Sequence, residues 1–169
     1  MNEKQNDVDQ LVEKTTRFSK RKIVTIIVAA LFLCILIVFS ANHFITAVVG
    51  ESMEPTYKNG ELLFVDRHFE IERFDVVVID TGNKPIIKRV IGLPGETVYL
   101  SDSGIFINGE QLEDNYGVGT TTKLSADMAT IVELGEDEYY VLGDNRSNSL
   151  DSRYYGAFNR VDIFGKVRR

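Results

Sequence analysis

The sequence holds only two histidines, His43 and His68, one cysteine, Cys34, three prolines and no tryptophan. A single cysteine excludes an intrachain disulfide, and so little His and Cys excludes a zinc site of the usual kind. His43 follows a long apolar run, and His68 lies in the charged run Asp66-Arg67-His68-Phe69-Glu70. With no motif around either, both read as surface or packing residues. Catalysis, if present, must come from Ser, Lys, Asp or Arg. Positive charge is also scarce, with 19 Lys and Arg against 25 Asp and Glu, a net of −6. Residues 1–42 carry six basic and four acidic residues, net +2, which leaves thirteen basic and twenty-one acidic residues beyond them, net −8. An acidic body without a basic stripe argues against a nucleic-acid partner.

What the chain does have is one long apolar run. Ile23 to Phe39 is apolar except for Thr25, and Ser40-Ala41 extends it. At 1.5 Å per residue, about 19 residues span roughly 28 Å, close to the thickness of a bilayer core. Arg17, Lys20, Arg21 and Lys22 precede the run, and no Lys or Arg follows it as far as Glu51. The positive-inside rule then puts residues 1–22 in the cytoplasm, as a tail whose first 16 residues read as disordered, and everything from residue 42 outside. A cleaved secretory signal would have a shorter apolar core and an Ala-x-Ala-like site, and Ala41-Asn42-His43 is not one. Leu33 before Cys34 does not fit a lipoprotein signal either. The expectation is a tail (1–22), a retained transmembrane helix (23–41) and an extracytoplasmic domain (42–169) of a size that suits one compact core.

Beyond the anchor, short runs rich in Val, Ile, Phe and Tyr alternate with turn signals. Thr46–Gly50, Glu61–Val65, Asp75–Ile79, Ile86–Ile91, Thr97–Leu100, Ile105–Ile107, Ala129–Val132, Tyr139–Leu142 and Ile163–Val167 read as strands. Asn108-Gly109, between Ile105-Phe106-Ile107 and Glu110-Gln111-Leu112, is the dipeptide of a type I′ hairpin, in which both central residues take positive φ. Leu93-Pro94-Gly95 marks another turn, Gly117–Thr122 a loop, and Leu150–Ile163 has room for a short helical turn. The fold class is mainly β: two packed antiparallel sheets or a partly open barrel.

Three polar segments stand out against this background. The first is the loop Gly50-Glu51-Ser52-Met53-Glu54-Pro55-Thr56. The second is Lys88, 36 residues after Ser52, in the apolar run Pro85-Ile86-Ile87-Lys88-Arg89-Val90-Ile91-Gly92. The third is Gly143-Asp144-Asn145-Arg146-Ser147-Asn148-Ser149-Leu150-Asp151-Ser152-Arg153. A serine hydroxyl needs a base to become a nucleophile. Lysine can serve if burial lowers its pKa from about 10.4 to about 7–8. On a strand, Lys88 and Arg89 point to opposite faces, and the residues alone do not choose which faces inward.

Together, and in this order behind an anchor, the three segments resemble the type I signal peptidase family, membrane-bound serine proteases that remove signal peptides. The resemblance implies Ser52 as nucleophile and Lys88 as general base, with Arg89 outward. It also implies that Ser149 hydrogen-bonds and orients the lysine amine, and that Asp144, Arg146, Asp151 and Arg153 form supporting polar pairs beneath the dyad. Gly50 allows close backbone approach, and the Ser52 amide becomes an oxyanion donor. Some family members carry a hydroxyl where this chain has Gly50, so a second donor is left to another backbone amide. Gly156 and Gly165 fall where the family has glycine. Only 47 residues separate Gly95 from Gly143, where larger relatives insert a domain, so the chain resembles the minimal Gram-positive type.

The implied substrates are preproteins with small residues at −1 and −3, added as a strand at a sheet edge. Met53 and the apolar residues Ala47, Val48 and Val49 are read as pocket or membrane contacts. The partners expected are signal-peptide-bearing preproteins and the lipid bilayer, with no metal, organic cofactor or nucleic acid. Two other readings bear weighing. A non-cleaving accessory or chaperone relative, or one restricted to a few surface proteins, would be announced by loss of Ser52 or Lys88, and both are present. A self-cleaving Ser/Lys repressor would carry a DNA-binding domain where this chain has its apolar run.

Overall fold

A computed structural model describes residues 2–121 and 131–168, the stretch 2–20 by its backbone alone. The chain divides into two units, Met1–Asn42 and His43–Arg169. The first is one helix, α1 (Asn2–Asn42). Its start at Asn2 corrects the expectation of a disordered tail. No Gly or Pro occurs before Gly50, so nothing in the tail interrupts the helical ladder. Arg21–Asn42, with a mean hydropathy of 3.2, is long and apolar enough to cross a bilayer. The Thr25 hydroxyl donates to Arg21 O at 3.0 Å, which leaves no unpaired donor on that side chain.

Among the described residues, the second unit holds eleven strands in two antiparallel sheets. In the larger sheet β1 (His43–Ala47), β2 (Leu62–Asp66), β3 (Val76–Asp80), β4 (Pro85–Gly92), β9 (Glu138–Leu142), β10 (Phe158–Asn159) and β11 (Ile163–Val167) follow the order β1-β2-β11-β3-β4-β9-β10. In the smaller sheet β5 (Thr97–Ser101), β6 (Gly104–Ile107), β7 (Glu110–Gln111) and β8 (Ile131–Glu133) follow the order β7-β6-β5-β8. The larger sheet ends on β1 and β10 and closes no barrel. Val76 to Ile79 of β3 are all buried, as expected of a strand covered on both faces. β2 alternates instead, with Leu63 and Val65 inward and Leu62 and Phe64 outward.

Three apolar clusters fill the interior. One joins Ile91, Tyr140 and Leu142 of the large sheet to Val98, Leu100, Ile105 and Ile107 of the small one. A second holds Val48, Met53, Leu63, Val65, Val76, Val78 and Val167, and a third holds Val77, Ile79, Val90, Val141, Phe158 and Ile163. The second and third lie on opposite faces of β3, because Val76 and Val78 alternate with Val77 and Ile79.

Asn108 (φ 52°) and Gly109 (φ 87°) both adopt the left-handed conformation between β6 and β7, as the hairpin reading requires. The first strand lies earlier than the Thr46–Gly50 expected. Pairing with β2 runs from His43↔Asp66 to Ala47↔Leu62, and the chain then turns away through Gly50 at φ 90°. β8 covers the end of the Ala129–Val132 segment, whose first two residues lie outside the described residues, as does Thr122. Leu150–Ile163 holds a one-turn helix, α2 (Ser152–Tyr155), the unexpected strand β10 and a 3-10 turn, Arg160–Asp162.

Gly165 occupies the irregular register between β11 and β3, and a Cβ there would lie 2.2 Å from Val65 Cγ1. We expect Gly165→Ala to cost about 1–3 kcal/mol through overpacking. Val65→Ala in the same chain should recover part of that loss. Urea melts of the four corners of the cycle check it, and simple additivity would contradict the clash.

Candidate active site

β4 runs alongside β3 with Lys88 opposite Val77 and Arg89 opposite Val76. Alternation places Lys88 on the face of Ile86, Val90 and Val77, and Arg89 on the other. Both side chains are buried, Lys88 at 3% and Arg89 at 0% exposure, which corrects the expectation that Arg89 faces outward. The physical reason is a partner. Arg89 forms a two-point ion pair with the equally buried Asp144, Nε to Oδ1 at 2.7 Å and Nη2 to Oδ2 at 2.6 Å, and its Nη1 donates to Phe74 O at 2.8 Å.

Lys88 Nζ lies 2.7 Å from Ser52 Oγ and donates to Ile87 O at 2.8 Å. Burial pushes its pKa from 10.5 down to about 8. Asp151 and Asp144 pull it upward, while Arg153 and Lys84 push it down. The acids are largely spent on arginines, so burial prevails. The histidines take no part: His43 Nε2 is 2.7 Å from Asp66, and His68 is exposed.

The Ser52 loop is pinned from several directions. Gly50 N donates to Asn59 Oδ1 at 3.0 Å, and Tyr57 N donates to Met53 O at 2.9 Å. Asn145 N donates to Ser52 O at 3.0 Å, and the Thr56 hydroxyl donates to Asp144 Oδ2 at 2.5 Å. The Ser52 N–H itself has no acceptor among the described residues. Met53 and Val48, read as contact residues, are buried at 0% and 3% in the second apolar cluster, because the turn through 51–57 aims Met53 inward. Of the four residues read this way, Ala47 and Val49 are open to solvent, Val49 at 81%.

The 143–153 block folds under the dyad as a set of pairs. Asp151 binds Arg153 at 2.8 Å, caps α2 by accepting from Arg153 N, and accepts from Gly143 N at 2.9 Å. Arg146 pairs with Asp114 and donates to Gly143 O at 3.0 Å. Asp144 and Arg146 thus turn to partners outside the block. Gly143 packs so closely that a Cβ would lie 2.2 Å from Ser149 Oγ and 2.6 Å from Ser52 O. Ser149 is therefore beside Ser52, but its buried Oγ makes no hydrogen bond among the described residues. The expected bond to Lys88 is not formed in this state, in which the amine is engaged by Ser52 and by Ile87 O.

Sequence reading missed Thr56, Asp114, Tyr116 and Asn145, all in polar stretches where nothing local marks a residue as the partner of a buried charge or of the Ser52 loop. It also missed Ser152, whose Oγ accepts from Val141 N at 2.9 Å. Thr56, Asn145 and Ser152 lay inside the quoted motifs without a role of their own, whereas Asp114 and Tyr116 lay outside them.

Holding Lys88 with its pKa near 8 costs the fold roughly 3 kcal/mol at neutral pH, since the unfolded lysine keeps its proton up to about 10.5. That penalty is full below pH 8 and fades as pH rises to 10.5. Lys88→Met should therefore stabilise the domain by about 1–3 kcal/mol at pH 7, with little gain left at pH 10.5. Urea melts at the two pH values check this, and an equal gain at both would contradict it.

A family model described as "Signal peptidase, peptidase S26" matches residues 19–169. "Signal peptidase I P" of Bacillus subtilis subsp. natto is 36% identical over 165 residues, spanning 86% of this chain and 89% of the relative. "Signal peptidase I" of Streptococcus pneumoniae (strain ATCC BAA-255 / R6) is 33% identical over 159 residues, 72% of this chain and 78% of the relative. The crystal structure of a signal peptidase I from Enterococcus faecalis V583 superposes with a TM-score of 0.51 at 31% identity, covering 59% of this chain and 98% of that one. With a buried lysine on a serine and relatives of this kind along most of its length, the chain belongs to the signal peptidase family, peptidase S26.

Proposed function

We propose that the chain cleaves signal peptides from exported preproteins with Ser52 as nucleophile and Lys88 as general base. The observation that carries this reading is the 2.7 Å contact between a serine hydroxyl and a buried amine whose pKa is pushed to about 8. The neutral amine takes the Ser52 proton as Oγ attacks the scissile carbonyl. The Ser52 N–H, which has no acceptor among the described residues, donates to the oxyanion. As the intermediate collapses, the ammonium returns its proton to the departing amine, and the amine then deprotonates the water that hydrolyses the acyl-enzyme. Ile87 O is the acceptor that holds Lys88 Nζ beside Ser52, at 2.8 Å. A non-cleaving role has no such observation behind it, since a lysine kept dry beside a serine does nothing for passive binding.

The substrate strand adds to β4. Val90 N–H and C=O face the β3 side, bonding Asp75 O and Phe74 N at 2.8 Å, so by alternation Ile87 directs its N–H and C=O to the other edge. Pairing with β9 covers that edge only from Arg89 to Gly92, which leaves the part at Ile87 open beside Lys88. A peptide there gains main-chain hydrogen bonds, and small residues at −1 and −3 fit against the site. Exposed Val49 lies close in sequence to Ser52 and contributes to that contact. The apolar half of α1 spans the membrane, the basic residues keep the N-terminus in the cytoplasm, and unit two lies outside.

Ser52→Ala and Lys88→Ala should each abolish cleavage of a peptide with Ala-x-Ala after an apolar run, and the double variant should be no worse than either, because the pair acts as a unit. For the wild type, kcat/KM should rise with pH about a midpoint near 8. A rising limb near 6.5 that disappears in His68→Ala would overturn the lysine mechanism. For topology, protease added to intact protoplasts should degrade unit two and spare the basic tail; survival of unit two would reverse the orientation.

A further inference from the structure

The buried Arg89–Asp144 pair has one roofed side that neither the dyad nor the 143–153 block supplies. The donor edges of Arg89 are occupied by Asp144, Phe74 O and, at 3.5 Å, Thr56 Oγ1. Its planar face remains, and the ring of Tyr116 covers it with its centroid 3.8 Å from Arg89 Cζ. Tyr116 also packs on Phe74 at 5.3 Å between centroids. Arg89 and Asp144 are both 0% exposed whereas Tyr116 is half-buried, so the ring is a layer between the ion pair and water.

The segment that carries Tyr116 is itself tied to the catalytic loop. Asp114 pairs with Arg146, and Gly117 lies so close to the Arg146 guanidinium that a Cβ would reach within 2.3 Å of Cζ. Val118 N donates to Asp144 O at 2.7 Å and Arg146 N donates to Val118 O at 2.8 Å. Thr120 N donates to Ser147 Oγ at 3.1 Å. The amide between the two Val118 contacts, Asn145 N–H, is the one that binds Ser52 O. Tyr116 is thus two residues from a backbone bridge that ends on the nucleophile, and stacked on the neighbour of the general base.

We propose that Tyr116 is a positioning residue for the Ser52–Lys88 reaction, its ring sealing the Arg89–Asp144 pair from water and thereby fixing Lys88, Ser52 and the 143–153 loop relative to one another. The inference rests on the dyad reading. A guanidinium over an aromatic face is held most strongly when both are dry, and an Arg whose edges are filled is stacked by default through its face. Without the ring, water reaches the pair, the ion pair loosens and the β4 segment at Lys88 is hydrated. The charged groups around the amine are Asp151, Asp144 and Arg153 of the loop and Lys84 before β4. With Asp144 less well neutralised by Arg89, and with more water, the ammonium form gains on the amine.

The test uses the full chain in detergent with the Ala-x-Ala peptide. Tyr116→Leu should lower kcat about tenfold at pH 7 with KM within roughly twofold, because the open β4 edge is untouched. Its kcat/KM limb should move alkaline by about half a pH unit or more. Tyr116→Phe, which keeps the ring face, should retain the larger part of the activity and the wild-type limb. If Tyr116→Leu does not fold, Tyr116→Met is read in the same way. A Leu or Met variant with the wild-type pH limb, or a Phe variant as impaired as Leu, would overturn the proposal. Failure of the dyad reading is separate and visible, since Lys88→Ala would then remain active.

Discussion

An amine kept out of water beside a serine hydroxyl is the constraint on which the rest of the domain depends. Lysine resists burial, because its ammonium loses far more hydration than a neutral chain can replace. Lys88 is nonetheless 3% exposed, on a strand whose neighbours Ile86, Val90 and Val77 are apolar. Such a site persists only where the backbone is held too firmly to swing the side chain out, and where no carboxylate is free to convert the amine into one half of a salt bridge. Both conditions are met by the same device. Asp144 and Asp151 lie close enough to be felt at Lys88, yet each is committed to an arginine.

The buried ion pairs are better understood as locators than as stabilisers. Replacing such a pair with apolar residues is often neutral or favourable, while breaking it by half is costly. Arg89–Asp144 joins β4 to the loop after β9, Arg146–Asp114 joins that loop to the segment after β7, and Arg153–Asp151 closes the loop on α2. The segments around 88 and 149 are thereby brought to one place, and hydrogen bonds from Thr56 to Asp144 and from Asn145 N to Ser52 O add the segment around 52.

How much of this could be read from sequence depended on whether the signal was local. The apolar run, the strand periods of β2 to β6 and the Asn108-Gly109 turn are local, and they were legible. The approach of Lys88 to Ser52 was legible only because three motifs occur in order, since Lys88 in an apolar strand is ambiguous alone. Arg89 was misjudged because its burial depends on Asp144, 55 residues away, which no strand alternation reveals. Met53 and Val48 look like contact residues beside a nucleophile, and only the turn through Gly50 and the pairing of Ala47 with Leu62 send them inward. Ser149 packs against Gly143 beside Ser52 O, but its hydrogen bonding depends on which acceptor the amine takes, and here Lys88 takes Ser52 Oγ and Ile87 O.

Lys88 and Arg89 being buried back to back on β4 has a consequence for how this enzyme can vary. The two faces of a strand are interchanged by any change in length, so one residue deleted between Pro85 and Lys88 would bring Arg89 to the position that faces Ser52, and one inserted there would bring Lys88 to the position that faces Asp144. Neither exchange works: a guanidinium does not give up a proton in a protein, and an amine lacks the fork that grips Asp144 at two points. A shift of frame thus costs one charged partner or the other, so the spacing from the β3–β4 turn to Lys88 is fixed by two burial sites at once.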